Sequence, residues 1–280
     1  MSAHRDLKVV FQDIDGCMNT PDGSDLSSAA EGGLTSDQAS LLREIGCAIE
    51  ASPIEQVVLN TGRSLDAVHY IADAMDTRKI RYMLTEHAAY GFDSHEENPL
   101  DLARLAQRFG MQQLAARYQG LEQIAGAIRW YSEVGERLLS ERFDVPLPAL
   151  PKAANLTLAV PEGISSVELI EGLRERVMSA SELDSQGLIY HQNPYYVDVT
   201  CGVGKGDGAL VMLEILGMEN GDALAVGDGL NDLSMFQALE RGFCPANAAS
   251  DLKRACLEKG GTISARSYGA ATLEFYRSLS

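Results

Sequence analysis

Short, uninterrupted apolar runs alternate with stretches of helical period along most of this chain. Val9-Val10-Phe11, Val57-Val58-Leu59 and Ala223-Leu224-Ala225-Val226 read as strands covered on both faces, because no polar residue breaks them. Between the first two runs, Leu41, Leu42, Ile45 and Ile49 share one helical face, and Thr35-Ser36-Asp37-Gln38 has the form of a capping box. The pattern predicts strands at 7–12, 55–60 and 80–85 and helices at 36–50 and 64–75. Such alternation implies parallel βαβ units.

The order then breaks. From about 98 to 142 the pattern is almost continuously helical, with Leu121, Ile124, Ile128, Tyr131 and Leu138 in register and Pro146, Pro148 and Pro151 closing the stretch. A strand at 155–160, a helix at 164–180 and short strands at 187–191 and 195–200 follow. From 203 the alternation resumes, with helices at 205–216, 231–240 and 249–258, strands at 222–227 and 242–244, and a last strand-helix pair. The expected organisation is an α/β core at 1–85 and 197–280, with an α+β domain inserted at 86–196.

Composition narrows the function. The 280 residues are 45% hydrophobic, enough for a sizeable core, and carry 40 acidic against 23 basic side chains, a net charge of −17. That balance opposes nucleic acid and anionic membrane surfaces as partners, so an anion site must be built from local cations or a bound metal. Residues 1–8 are polar, and no apolar stretch approaches the ~20 residues of a membrane span. The five cysteines, Cys17, Cys47, Cys201, Cys244 and Cys256, lack a Cys-x-x-Cys pair and read as free thiols of a cytoplasmic protein.

Four segments carry chemistry. Asp13 and Asp15, in Asp13-Ile14-Asp15-Gly16, leave the end of the first strand, where crowded carboxylates ask for a metal, a proton or both. A surface turn would also accommodate such a pair. Thr61-Gly62-Arg63 ends the second strand before a helix, where a hydroxyl and free N–H groups hold phosphate oxygens. Arg63 can reach substrate or form a salt bridge. Lys205 opens a helix, an unfavourable place for a cation unless an anion lies near, although Asp207 partly offsets it. Asp228 and Asp232, in Gly227-Asp228-Gly229-Leu230-Asn231-Asp232, offer hard oxygens suited to Mg2+, and Asp232 also suits a helix start.

In this order the four segments resemble the motifs of the haloacid dehalogenase superfamily, and the long insertion resembles the cap of its Cof-like branch. That resemblance implies a Rossmann-like parallel-sheet core and a Mg2+-dependent phosphatase acting on a small phosphorylated metabolite, a sugar phosphate or a phosphoglycerate or phosphoglycolate type of compound. It implies Asp13 as nucleophile, Asp15 as acid and base, and phosphate held by Thr61, Gly62, Lys205 and Asn231. Mg2+ would be held by Asp13, the Asp15 carbonyl and Asp228, with Asp232 close by or acting through water. Cys17-Met18 and Glu86-His87-Ala88-Ala89 depart from the usual family residues. His87 is thus a substrate contact or a hinge residue, and Arg63, His191 and Tyr195 are further substrate candidates. A phosphomutase and a non-catalytic metabolite-binding protein remain alternatives, and oligomeric state is not legible.

Overall fold

Val9, Val10 and Phe11 expose no surface, as the unbroken apolar run requires. In the computed structural model, which describes residues 7–24, 26, 33–96, 98–150, 152–178, 189–192 and 196–280, they form β1 (Val9–Gln12). The chain continues through α1 (Ser36–Ala51), β2 (Gln56–Asn60), α2 (Leu65–Met75), β3 (Ile80–Thr85) and β4 (Tyr90–Asp93). The predicted capping box closes: Thr35 Oγ1 accepts from the Gln38 N–H, and the Gln38 side chain accepts from the Thr35 N–H.

The helical stretch resolves into α3 (Leu102–Arg108), α4 (Gln112–Tyr118), α5 (Leu121–Trp130) and α6 (Glu136–Phe143), the last two joined by a π-helical turn at Tyr131–Gly135. Next come β5 (Leu156–Ala159), α7 (Ser166–Gly172), β6 (Ile189–Gln192) and β7 (Tyr196–Thr200), and these strands make a separate antiparallel sheet of order β5-β7-β6. The chain then runs through α8 (Lys205–Leu216), β8 (Ala223–Val226), α9 (Leu233–Ala238), β9 (Gly242–Cys244), α10 (Ser250–Glu258), β10 (Thr262–Ile263) and α11 (Tyr268–Leu279).

The chain divides into two compact units, Met1–Leu102 with Gly204–Ser280, and Ala103–Val203. Both divisions fall later than the 86–196 insertion expected from sequence. The reason at the entry is β4, which pairs antiparallel with β3 and so keeps residues 90–93 on the first sheet. Its four residues, Tyr90-Gly91-Phe92-Asp93, contain a glycine and end on a carboxylate, so the apolar pattern predicts no strand there.

The first unit is built on a seven-stranded sheet of order β10-β9-β8-β1-β2-β3-β4, parallel except for β4. β1 lies between β2 and β8, so the chain leaves it first toward one edge and later returns on the other side. A crevice opens at such a switch point beyond the carboxyl ends of the strands. One face of the sheet buries Val10, Val57, Leu59, Leu224 and Val226 against Leu42, Ile45 and Ile49 of α1 and Phe275 and Tyr276 of α11.

Lys79 closes the C-terminal end of α1. Its Nζ donates to the carbonyls of Ile49 (3.1 Å), Glu50 (3.0 Å) and Ser52 (2.7 Å), where the helix leaves acceptors unpaired. Lys79→Ala is expected to lower the unfolding free energy by about 1 kcal/mol, measured by urea titration, without altering catalysis.

Candidate active site

Asp13 follows β1 directly, and its N–H still donates to the Val226 carbonyl of β8 (3.0 Å). The ladder thereby fixes its Cα and aims a buried carboxylate past the strand ends. Lys205, at the first turn of α8, is fully buried and stands 2.7 Å from Asp13 Oδ1 and 2.5 Å from Asp232 Oδ1. The Asp13 contact is an ion pair without hydrogen-bond geometry, which leaves that oxygen's hydrogen-bonding capacity unused. Burial works against the Lys205 charge, but the carboxylates of Asp13 and Asp232 outweigh it and hold the ammonium's pKa above the ordinary value.

Asp232 is engaged through both oxygens. Oδ1 accepts from Lys205, and Oδ2 accepts from the N–H groups of Asp228 and Gly229, each at 2.9 Å. It therefore shapes the loop that presents Asp228 and serves as the counter-ion of Lys205. Asp228 itself lies against Gly16, where the chain turns with φ +70 and a Cβ would sit 1.9 Å from Asp228 Oδ2. Only glycine admits both that φ and that approach.

Oxygens of Asp13 and Asp228 and the Cys17 sulfur lie within 4.8 Å of one another. Burial, then the Asp232 charge, push the Asp13 carboxyl well above its usual range, against the pull of Lys205. The same two causes push Asp228 up to about 7. Burial, followed by Asp228, drives the Cys17 thiol well above its usual range, so it stays a neutral packing group. Two close carboxylates, one with unused acceptor capacity, form a hard-oxygen donor set that fits Mg2+.

Asp15 is held elsewhere. Arg63 donates to it through Nε (2.9 Å to Oδ2) and Nη2, and through Nη1 to the Leu26 carbonyl (2.9 Å). Of the two readings open for Arg63, the structure shows the salt bridge. Thr61 is buried after β2, and its Oγ1 accepts from the Arg63 N–H (3.2 Å). Glu86, His87 and Ala88 follow β3 in the left-handed region, with φ of 49, 60 and 66. This turn is fixed by bonds from the Glu86 N–H to the Arg63 carbonyl and from the His87 N–H to the Thr61 carbonyl, each 2.9 Å. It lays the His87 ring on Gly62, where a Cβ would meet Cε1 at 2.7 Å.

Asn231 is half-buried on the turn Leu230–Asp232, its amide folded over Gly229. The backbone of His191 lies in β6 opposite Asp198 of β7, its side chain outside what is described. Tyr195 lies outside the described residues. Two asparagines to which the sequence pattern assigns no role join the site. Asn60, fully buried at the end of β2, donates to the Lys205 carbonyl (2.9 Å), and Asn247 joins the Gly16 and Asp228 segments. A polar residue closing an apolar strand was the available signal for Asn60; none marked Asn247.

Residues 153–263 match the family model for haloacid dehalogenase-like hydrolases. A phosphoglycolate phosphatase of Methanococcoides burtonii is 28% identical over 272 residues, 96% of this chain and 94% of that protein. One from Methanopyrus kandleri is 40% identical over 73 residues, 26% of this chain and 29% of the relative's length. A Synechocystis sucrose-phosphatase, solved with sucrose and phosphate, superposes with a TM-score of 0.59 at 17% identity, covering 98% of this chain and 98% of its own. The chain is thus similar to haloacid dehalogenase-like hydrolases over residues 153–263, and it has the α/β architecture expected from its sequence.

Asp228 supplies a pH-dependent prediction. In chelator-treated protein its carboxyl keeps a proton up to about pH 7, whereas an unfolded chain releases it near 3.8. Its stabilising contribution is fully present below 3.8 and is lost as pH rises through about 7. The Tm of the parent, relative to Asp228→Asn at each pH, is expected to fall across that window, and added Mg2+ to offset the fall. A difference independent of pH would contradict the buried, protonated carboxyl.

Proposed function

We propose that this chain is a phosphatase that hydrolyses a small phosphorylated metabolite by way of a phosphoryl group carried on Asp13. The observation that carries this reading is the buried Lys205 held between Asp13 and Asp232, beside Asp228, at the strand ends. A nucleophilic carboxylate, a fixed cation and a hard-oxygen pair are what in-line displacement at phosphorus needs.

Asp13 attacks phosphorus, an Asp13 oxygen–phosphorus bond forms, and the bond to the leaving oxygen breaks. Asp15 gives that oxygen a proton, then takes one from water as the water's oxygen attacks phosphorus, which frees inorganic phosphate and restores the Asp13 carboxylate. Lys205, Thr61 and the amides of the Gly62 turn bind phosphoryl oxygens, with Asn231 on the facing loop. Arg63 orients Asp15 toward the leaving group. Bound Mg2+, taken by Asp13, Asp228 and the Asp15 carbonyl with Asp232 behind them, would neutralise charge between nucleophile and substrate.

The nearly full-length relative named phosphoglycolate phosphatase supports a short phosphorylated acid as the first substrate to test. The net charge of −17 argues against a nucleic-acid end as substrate. Among the described residues no helix is long and apolar enough to cross a membrane. All five cysteines are free thiols, which supports a reducing, cytoplasmic setting.

A panel of phosphorylated metabolites, 2-phosphoglycolate and hexose phosphates included, is expected to yield inorganic phosphate with Mg2+ and none with EDTA. Phosphate release from no member would sink the assignment, and transfer back to sugar would make the enzyme a mutase. Asp13→Asn is expected to lower kcat by more than about 10³-fold. In Asp15→Asn, radiolabel from substrate should remain on the protein after a rapid quench; unlabelled protein turning over at the parental rate would remove Asp15 from its role.

A further inference from the structure

The Asp228 carboxylate is held from a direction that neither Lys205 nor Asp232 covers. Asn247, in the loop between β9 and α10, places Nδ2 2.9 Å from the Gly16 carbonyl oxygen and 3.3 Å from Asp228 Oδ2. Its Oδ1 accepts from the Tyr268 N–H at 2.7 Å. The orientation of the amide follows from its neighbours: two acceptors face one end and a backbone donor faces the other, so a flipped amide would set like against like.

The surroundings make this contact selective for the site. Tyr268 holds φ 57, a left-handed conformation uncommon for a tyrosine, and in it the N–H meets Asn247 at the start of α11. The Asp228 carbonyl accepts from the Ala249 N–H at 2.8 Å, two residues beyond Asn247, so the same loop grips both ends of Asp228. On the opposite side, Asn19 Oδ1 accepts from the Gly16 N–H at 3.0 Å. Asn247 is thus the side chain that ties the Gly16 turn after β1 to the Asp228 loop after β8.

We propose that Asn247 is a positioning residue for divalent-metal binding, which it favours by fixing the Asp228 carboxylate and the Gly16 turn at the spacing the ion requires. This rests on the metal reading of Asp13 and Asp228. Partners that orient a ligand carboxylate without touching the ion typically change metal affinity by about 10–100-fold when removed. Asn247→Leu keeps nearly the same volume and removes both the donor and the acceptor.

The test is Mg2+ titration of the full chain by isothermal calorimetry after chelator treatment, at a temperature where thermal melts show parent and variant folded. Asn247→Leu is expected to raise the Mg2+ Kd by about tenfold or more, and to lower the metal-free Tm through the loss of its three hydrogen bonds. Asn247→Ser, which retains a hydroxyl donor in less volume, is expected to lie between, and it replaces the leucine variant should that one not fold. Mg2+ Kd values within twofold of the parent's in the folded variants would overturn the proposal and leave the metal reading standing. A parent chain that binds neither Mg2+ nor Mn2+, with Asp228→Asn indistinguishable from it, would overturn both.

Discussion

A buried ammonium between two buried carboxylates is the interaction on which the first unit's organisation turns. Lys205, Asp13 and Asp232 have almost no contact with water, and each alone would be costly to bury. Their mutual attraction, with two backbone N–H groups on Asp232, makes the cluster tolerable. It also leaves a surplus of negative charge: Lys205 is one cation against Asp13, Asp232 and the nearby Asp228. Either protons or a second cation must make up the difference, which is why burial and like charge raise the Asp13 and Asp228 carboxyls.

The sheet is what allows so costly a cluster to assemble. β1, β2 and β8 are neighbours, and their parallel registers bring the residues after each strand to one edge. Backbone bonds continue beyond the strands, from Asp13 to Val226 and from Thr61 to Leu84, so the functional side chains start from positions fixed by the ladder. The apolar core packed on one face of these strands holds them rigidly in place.

Around this frame the loops are cross-braced. The left-handed turn at Glu86, His87 and Ala88 is an energetically unfavourable conformation for three side-chain-bearing residues, and it is retained by its bonds to the Thr61-Gly62-Arg63 turn. Arg63 in turn grips Asp15 and the Leu26 carbonyl. Asp15, the Thr61-Gly62-Arg63 turn and the turn between β3 and β4 are therefore parts of one hydrogen-bonded assembly.

The amino-acid sequence by itself determined the strands β1, β2, β3 and β8, the helices between them, the capping box and the order of the four chemical segments. These are local facts: unbroken apolar runs, helical spacing and short motifs depend on residues close together in the chain. Tertiary structure decided which groups meet. Arg63 could have faced substrate or solvent, yet its guanidinium goes to Asp15; Asp232 could have been a free ligand, yet both oxygens are taken. Asn60 reaches Lys205 across 145 residues and Asn247 reaches Gly16 across 231. β4 went unseen because pairing with β3, rather than its own apolar pattern, makes it a strand. Periodicity specifies which face of an element is buried, whereas the partner of a polar atom depends on where distant loops end, and that is set only when the sheet has assembled.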